Sequence, residues 1–180
     1  MAVTLDQITK WLEEKEVNFH HDTEDEVIIF TTSDGHTKQF HFIRARENGD
    51  IFEWKMQILD ENNDKIMIKD HKYAPKALSH MLYLNYTTKF GTWEYDPSDG
   101  DICLTVEIPL EDALMTKKQF NRIAGYMIRD GQNGADDIRH ILSTGEVPQD
   151  STEEDMIAQL EAMLAQLKGE SSSDSTTDGI

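Results

Sequence analysis

Apolar positions recur first with helical spacing: Leu5, Ile8, Trp11 and Leu12 follow Thr4, and Gln7 stands three residues after it. A capping box of this kind predicts an amphipathic helix over residues 4–16. The period then shortens. VNFHHD, EVIIFTT, TKQFHFIRA and IFEWKMQIL are rich in β-branched and aromatic residues, and turn-forming stretches at Thr23–Asp25, Ser33-Asp34-Gly35 and Glu47-Asn48-Gly49-Asp50 separate them. They predict an antiparallel meander. In the last run Phe52, Trp54, Met56 and Ile58 alternate with Glu53, Lys55 and Gln57, the signature of a sheet with one covered face and one wet face.

Helical spacing returns after Pro75, with Ala77, Leu78, Met81, Leu82 and Asn85 on one side of residues 75–87. Two further strand runs follow, KFGTWEYD and DICLTVEI. A second capping box, Thr116 with Gln119, then opens a helix carrying Phe120, Ile123, Ala124, Met127 and Ile128. Gly131 and Gly134 predict a break, with a short helical piece after it at Ala135–Leu142. The order is α-β-β-β(-β)-α-β-β-α, an α+β fold with an antiparallel sheet backed by helices. It occupies residues 1–143, and residues 144–150 form a linker. Ser151 and Glu154 make a third capping box, after which Met156, Ile157, Leu160, Met163, Leu164 and Leu167 lie on one face of an added amphipathic helix over 151–168. Residues 169–180, GESSSDSTTDGI, have no apolar pattern and are expected to be a disordered acidic Ser/Thr tail.

Charge narrows the range of partners. The 180 residues contain 17 Lys and Arg against 35 Asp and Glu, a formal charge of −18. Asp150, Glu153, Glu154, Asp155, Glu161, Glu170, Asp174 and Asp178 against Lys168 alone place −7 on residues 149–180, and the other −11 falls on residues 1–148. A field of this sign repels nucleic acid and anionic membranes and favours a basic partner. With Cys103 the only cysteine, no internal disulfide can form, and a reducing, cytoplasmic compartment is expected. The acidic amphipathic start is not a charged-then-apolar leader, and no apolar run reaches the roughly 18 residues of a membrane span.

Candidate metal chemistry fails on spacing. If Gly100 of DPSDGD is set at the glycine position of a calcium loop, Tyr95 and Val106 fall where carboxylates are needed; a hairpin turn, with Pro97 presetting φ and Gly100 positive, fits better. In DENNDKIMIKDH, Lys65 takes the glycine place and His71 the glutamate place, so this is read as a solvated turn. His20, His21, His36 and His41 sit on neighbouring strands and could converge on a metal, but no HxxxH pair or thiolate cluster exists. No nucleophile elbow, P-loop or dinucleotide fingerprint occurs, and Cys103 within strand sequence is expected to be an inert thiol. No catalytic residue, cofactor or metal is implied.

Leu84-Asn85-Tyr86, Phe90-Gly91, Tyr95-Asp96, the Asp99-Gly100 turn, Leu104-Thr105-Val106-Glu107 and Ile108-Pro109-Leu110-Glu111-Asp112, followed by Thr116 to Phe120, resemble the bacterial YbjN domain family. That family is similar in fold to type III secretion chaperones. The resemblance covers residues 5–142 and implies an often dimeric α+β domain with a sensory or regulatory role. The expectation is therefore a non-enzymatic protein-binding module, chaperone-like or a regulatory adaptor. It would grip another polypeptide through a sheet face or edge and through Met156, Ile157, Leu160, Met163, Leu164 and Leu167. The alternatives are an acidic decoy acting by charge on a basic or nucleic-acid-binding protein and, behind it, a metal-dependent enzyme.

Overall fold

The computed structural model describes residues 2–33, 38–60 and 62–148, and the chain divides into two units, Met1–Val147 and Pro148–Ile180. The first unit contains α1 (Leu5–Glu13), β1 (His20–Asp22), β2 (Val27–Ser33), β3 (Lys38–Arg46), β4 (Ile51–Leu59), α2 (Ala74–Thr87), β5 (Thr92–Tyr95), β6 (Ile102–Pro109) and α3 (Lys117–Thr144). Six strands form one antiparallel sheet in the order β1-β2-β3-β4-β6-β5. This is the α+β class that the residue pattern predicts, with four strands in the first meander.

Both capping boxes in this unit form. The Thr4 hydroxyl accepts from the Gln7 N–H and the Gln7 carboxamide accepts from the Thr4 N–H; Thr116 and Gln119 repeat the arrangement. Helix α1 stops three residues before the sequence pattern suggests, with Glu16 at φ 57 reversing the chain. Helix α3 corrects the expected break. It runs unbroken through Gly131 and Gly134, because both glycines face inward and let the helix lie close on the sheet. A Cβ on Gly131 would meet Met56 Sδ at 2.8 Å, and one on Gly134 would meet the Trp93 ring at 2.7 Å. The pair serves packing.

The helices cover one face of the sheet. Phe52, Trp54, Met56 and Ile58 of β4 and Leu104 and Val106 of β6 meet Ile8 and Leu12 of α1, Ala77 and Met81 of α2, and Phe120, Ile123 and Met127 of α3. The Trp54 and Phe120 rings stack at 5.7 Å. No described helix is long and apolar enough to cross a membrane.

Candidate functional site

Strand pairing fixes which side chains share the opposite face. Ile29, Phe42, Lys55, Thr105 and Thr92 stand in one row across β2, β3, β4, β6 and β5, and Thr31, Phe40, Gln57, Cys103 and Glu94 form the next. A third row runs Arg44, Glu53 and Glu107 across β3, β4 and β6. None of these residues belongs to the core that the three helices complete. No described helix packs on the side of the sheet that carries them, although Glu53, Gln57 and Thr105 are themselves buried there.

β3 has its polarity reversed. Its alternation sends Gln39 and His41 into the core, both fully buried, and turns Phe40 and Phe42 outward, where they are half-buried and meet edge to face at 4.6 Å. The inward polar groups are held by a continuous chain of hydrogen bonds. Trp54 Nε1–H donates to His41 Nδ1 (3.2 Å), which leaves the proton on Nε2 to be donated to Thr32 Oγ1 (2.8 Å). Thr32 donates to Gln39 Oε1 (2.6 Å), Gln39 donates to Gln132 of α3, and Gln132 donates to Asp136. His41 also stacks on Phe30 at 4.7 Å. Burial pushes its pKa down to about 3, so the ring is neutral at ordinary pH.

Beside Phe42 the polar positions of the face interlock. Glu53 is only 3% exposed although no helix lies over it, because Arg44 and Arg46 on the neighbouring strand close on its carboxylate at 3.4 and 2.8 Å. Burial is the largest single influence on Glu53 and pushes its pKa up. The Arg46 hydrogen bond and charge, with Lys55 and Arg44, outweigh it and hold the carboxyl below its usual range. The expected wet face is thus only partly wet: in central strand β4 Glu53 is closed over by Arg44 and Arg46, and Gln57 is buried with its amide donating to Asp101 just before β6 at 2.8 Å. Thr105 donates to Glu94 at 2.9 Å, and Cys103 lies half-buried next to both. Burial raises the Cys103 thiol pKa, against a smaller opposing effect of Thr105, and keeps it protonated near neutrality. At one end of the face Thr31, Phe40 and Leu59 floor a recess of about 560 Å³, walled by Lys38, Asn63, Asp64 and Lys65.

The edges are guarded. Trp93 directs its main-chain N–H and C=O away from β6, and Asn85 of α2 takes both: the amide donates to Trp93 O at 3.0 Å and the side-chain oxygen accepts from Trp93 N at 2.7 Å. The β5 edge therefore offers no free ladder at this position. The other edge, β1, has only three residues.

The remaining sequence candidates resolve locally. DPSDGD is a turn in which Asp96 Oδ1 accepts from Ser98 N at 2.8 Å and Gly100 takes φ 93 with its Cα hydrogens against Lys69, where a Cβ would clash at 2.5 Å. Asp60 Oδ1 likewise accepts from the N–H groups of Asn62 and Asp64. The histidines are not brought together: His41 is in the core, His20 and His21 point to opposite faces of β1, and His36 lies outside the described residues. Among the described residues no three His, Cys, Asp or Glu side chains gather as a metal set. Met156, Ile157, Leu160, Met163, Leu164 and Leu167 also lie outside the described residues. Phe40 and Phe42 were open to sequence reasoning, since QFHFI places aromatic residues out of phase with its polar ones.

Taken together, the fold and this face define a two-layer α+β sandwich with one sheet surface bare and aromatic. Comparison with known proteins gives no matching family model and no matching curated sequence.

Proposed function

We propose that the chain is a non-enzymatic protein-binding module that holds another polypeptide on the helix-free face of its sheet, in the manner of a chaperone-like or regulatory adaptor. The observation that carries this reading is the inverted β3, in which two glutamine- and histidine-sized polar groups are buried while Phe40 and Phe42 are presented outward. Burying polar groups is favourable only when each is fully hydrogen-bonded, and a half-buried aromatic pair on a helix-free sheet face supports reading that face as an interaction surface. The capped β5 edge favours the face over strand addition, and the charge of −18 favours a basic partner. The test compares proteins captured by the full chain with those captured by Phe40→Asp/Phe42→Asp and by Leu160→Glu/Leu164→Glu. The reading requires a set of partners that the first variant loses while its circular dichroism and unfolding midpoint stay unchanged. Loss in the second variant as well adds the segment 151–168 to the grip. Partners retained by the first variant dispose of the face.

A second reading, self-association, has its own support. Leu78–Thr88 contains no Asp, Glu, Lys or Arg, and Leu82 and Tyr86 on the outer side of α2 are 71% and 88% exposed. For two copies of so acidic a chain, an uncharged stripe is where approach meets least repulsion. Sedimentation equilibrium of Leu82→Glu/Tyr86→Glu beside the unaltered chain tests it, and a monomeric unaltered chain refutes it.

A further inference from the structure

Away from the bare sheet face, the N-terminal half of α3 overhangs an apolar recess of about 280 Å³. Ile108 and Ile123 form its inner surface, and the Phe90 and Tyr126 rings, stacked at 5.8 Å, form one side. Its rim is asymmetric in chemistry. Gln119, Arg122 and Tyr126 follow one another at spacings of three and four along α3 and therefore share a helix face. Gln119 uses its carboxamide oxygen to accept from the Thr116 N–H and hydroxyl, both at 2.8 Å, which directs the amide NH₂ elsewhere, without a partner among the described residues. Among the described residues Arg122 is the only charged one lining the recess.

The other four arginines are engaged: Arg44 and Arg46 with Glu53, Arg129 with Asp130, and Arg139 with the Leu59 carbonyl. Arg122 alone has no ion pair or hydrogen bond among the described residues, in a chain where acids outnumber bases two to one. An apolar recess that, among the described residues, is bordered by donors without partners and by no carboxylate calls for a ligand with an apolar body and an anionic acceptor. A guanidinium meets a carboxylate with two parallel N–H···O bonds. The volume lies just under the roughly 300 Å³ at which drug-sized ligand pockets begin, the size of one ring or a short alkyl chain.

We propose that this recess binds a small apolar monocarboxylate, with the ring or chain against Ile108, Ile123 and the Phe90–Tyr126 pair and the carboxylate held by Arg122 and the Gln119 amide. A neutral or cationic ligand of the same shape leaves Arg122 unused and is selected against.

The experiment is a ¹H–¹⁵N NMR titration of the full chain with 3-phenylpropionate and, in parallel, with the uncharged 3-phenylpropionamide. The acid is expected to move the amide signals of Ile108, Gln119, Arg122 and Tyr126 and to bind about tenfold more tightly than the amide, the worth of one partly exposed charge-assisted contact. Arg122→Gln removes the charge at an exposed position. Gln119→Glu preserves the capping box while replacing the donor by an anion. Each is expected to weaken the acid about tenfold and leave the amide unchanged. Equal affinity for acid and amide, an unaltered acid affinity in Arg122→Gln, or no movement of those four signals overturns the proposal. None of these outcomes depends on the bare sheet face.

Discussion

Acidification should reveal the cost of holding His41 inside. The ring is fully buried, and its hydrogen-bond and ring partners are neutral: Phe30 and Thr32 from β2 and Trp54 from β4, with Met56 opposite it in the register. Asp136 is the nearest carboxylate along the hydrogen-bond chain, two amide side chains away. Both ring nitrogens already have partners, and a second proton on Nδ1 would face the Trp54 N–H, donor against donor. The folded pKa is pushed down to about 3 from an ordinary value of 6.5. Between those values the unfolded chain binds a proton that the folded chain refuses, so folding stability is complete above the ordinary value and falls as pH drops. The slope is about 1.4 kcal/mol per pH unit, which removes roughly 2 kcal/mol by about pH 5. The other strongly held groups, Asp22, Glu53 and Asp96, are carboxylates with lowered pKa, whose contributions fade only at lower pH. The assay is urea unfolding at about pH 7.5 and about pH 5 for the unaltered chain and for His41→Gln, which cannot titrate. His41→Gln should be less stable at the higher pH and lose about 2 kcal/mol less on acidification. Identical pH dependence in the two proteins would refute the buried neutral ring.

Two glycines of α3 should respond in opposite directions. Gly125→Ala, where an added Cβ has open space, should stabilise by about 1 kcal/mol, whereas Gly134→Ala, which strikes Trp93 and Leu84, should destabilise by about 1–3 kcal/mol, both read from denaturant midpoints. Asn85→Ala orphans the Trp93 N–H and C=O and should lower stability by about 1–3 kcal/mol; by uncovering the β5 edge it should also raise light scattering on storage. Glu53→Gln should lose about 1 kcal/mol near neutral pH, discounted for the partial exposure of both arginines. Because the folded pKa of Glu53 is lowered, its stabilisation is present above the ordinary carboxylate value and disappears as pH falls through the folded one, so the two proteins should converge in acid.

Element type was legible wherever local chemistry decides it. The capping boxes at Thr4 and Thr116, the turn at Gly100 and the alternation in β4 each follow from hydrogen bonds or φ preferences within a few residues. Misreadings arose where a distant neighbour decides. Gly131 and Gly134 suggest a break because glycine destabilises a helix, yet here Met56, Leu104, Trp93 and Leu84 require that no side chain be present. Likewise alternation places Glu53 and Gln57 on the wet face, and nothing local announces that Arg44 and Arg46 will close over the one and Asp101 pair with the other.

β3 is the instructive case because pattern alone gives the wrong face. Alternation places Phe40 and Phe42 together and Gln39 and His41 together, and hydrophobicity would turn the aromatic pair inward. The register with β4 sets His41 opposite Met56 and Ile43 opposite Trp54, and so imposes the reverse. A one-residue slip would bring the phenylalanines inside but carry Ile43 out and break the bonds joining Trp54, His41, Thr32 and Gln39. The hydrogen-bonded chain is thus what keeps the aromatic pair on the surface. Local preference and global fold disagree along this strand, and such disagreement is concentrated at surfaces kept for use.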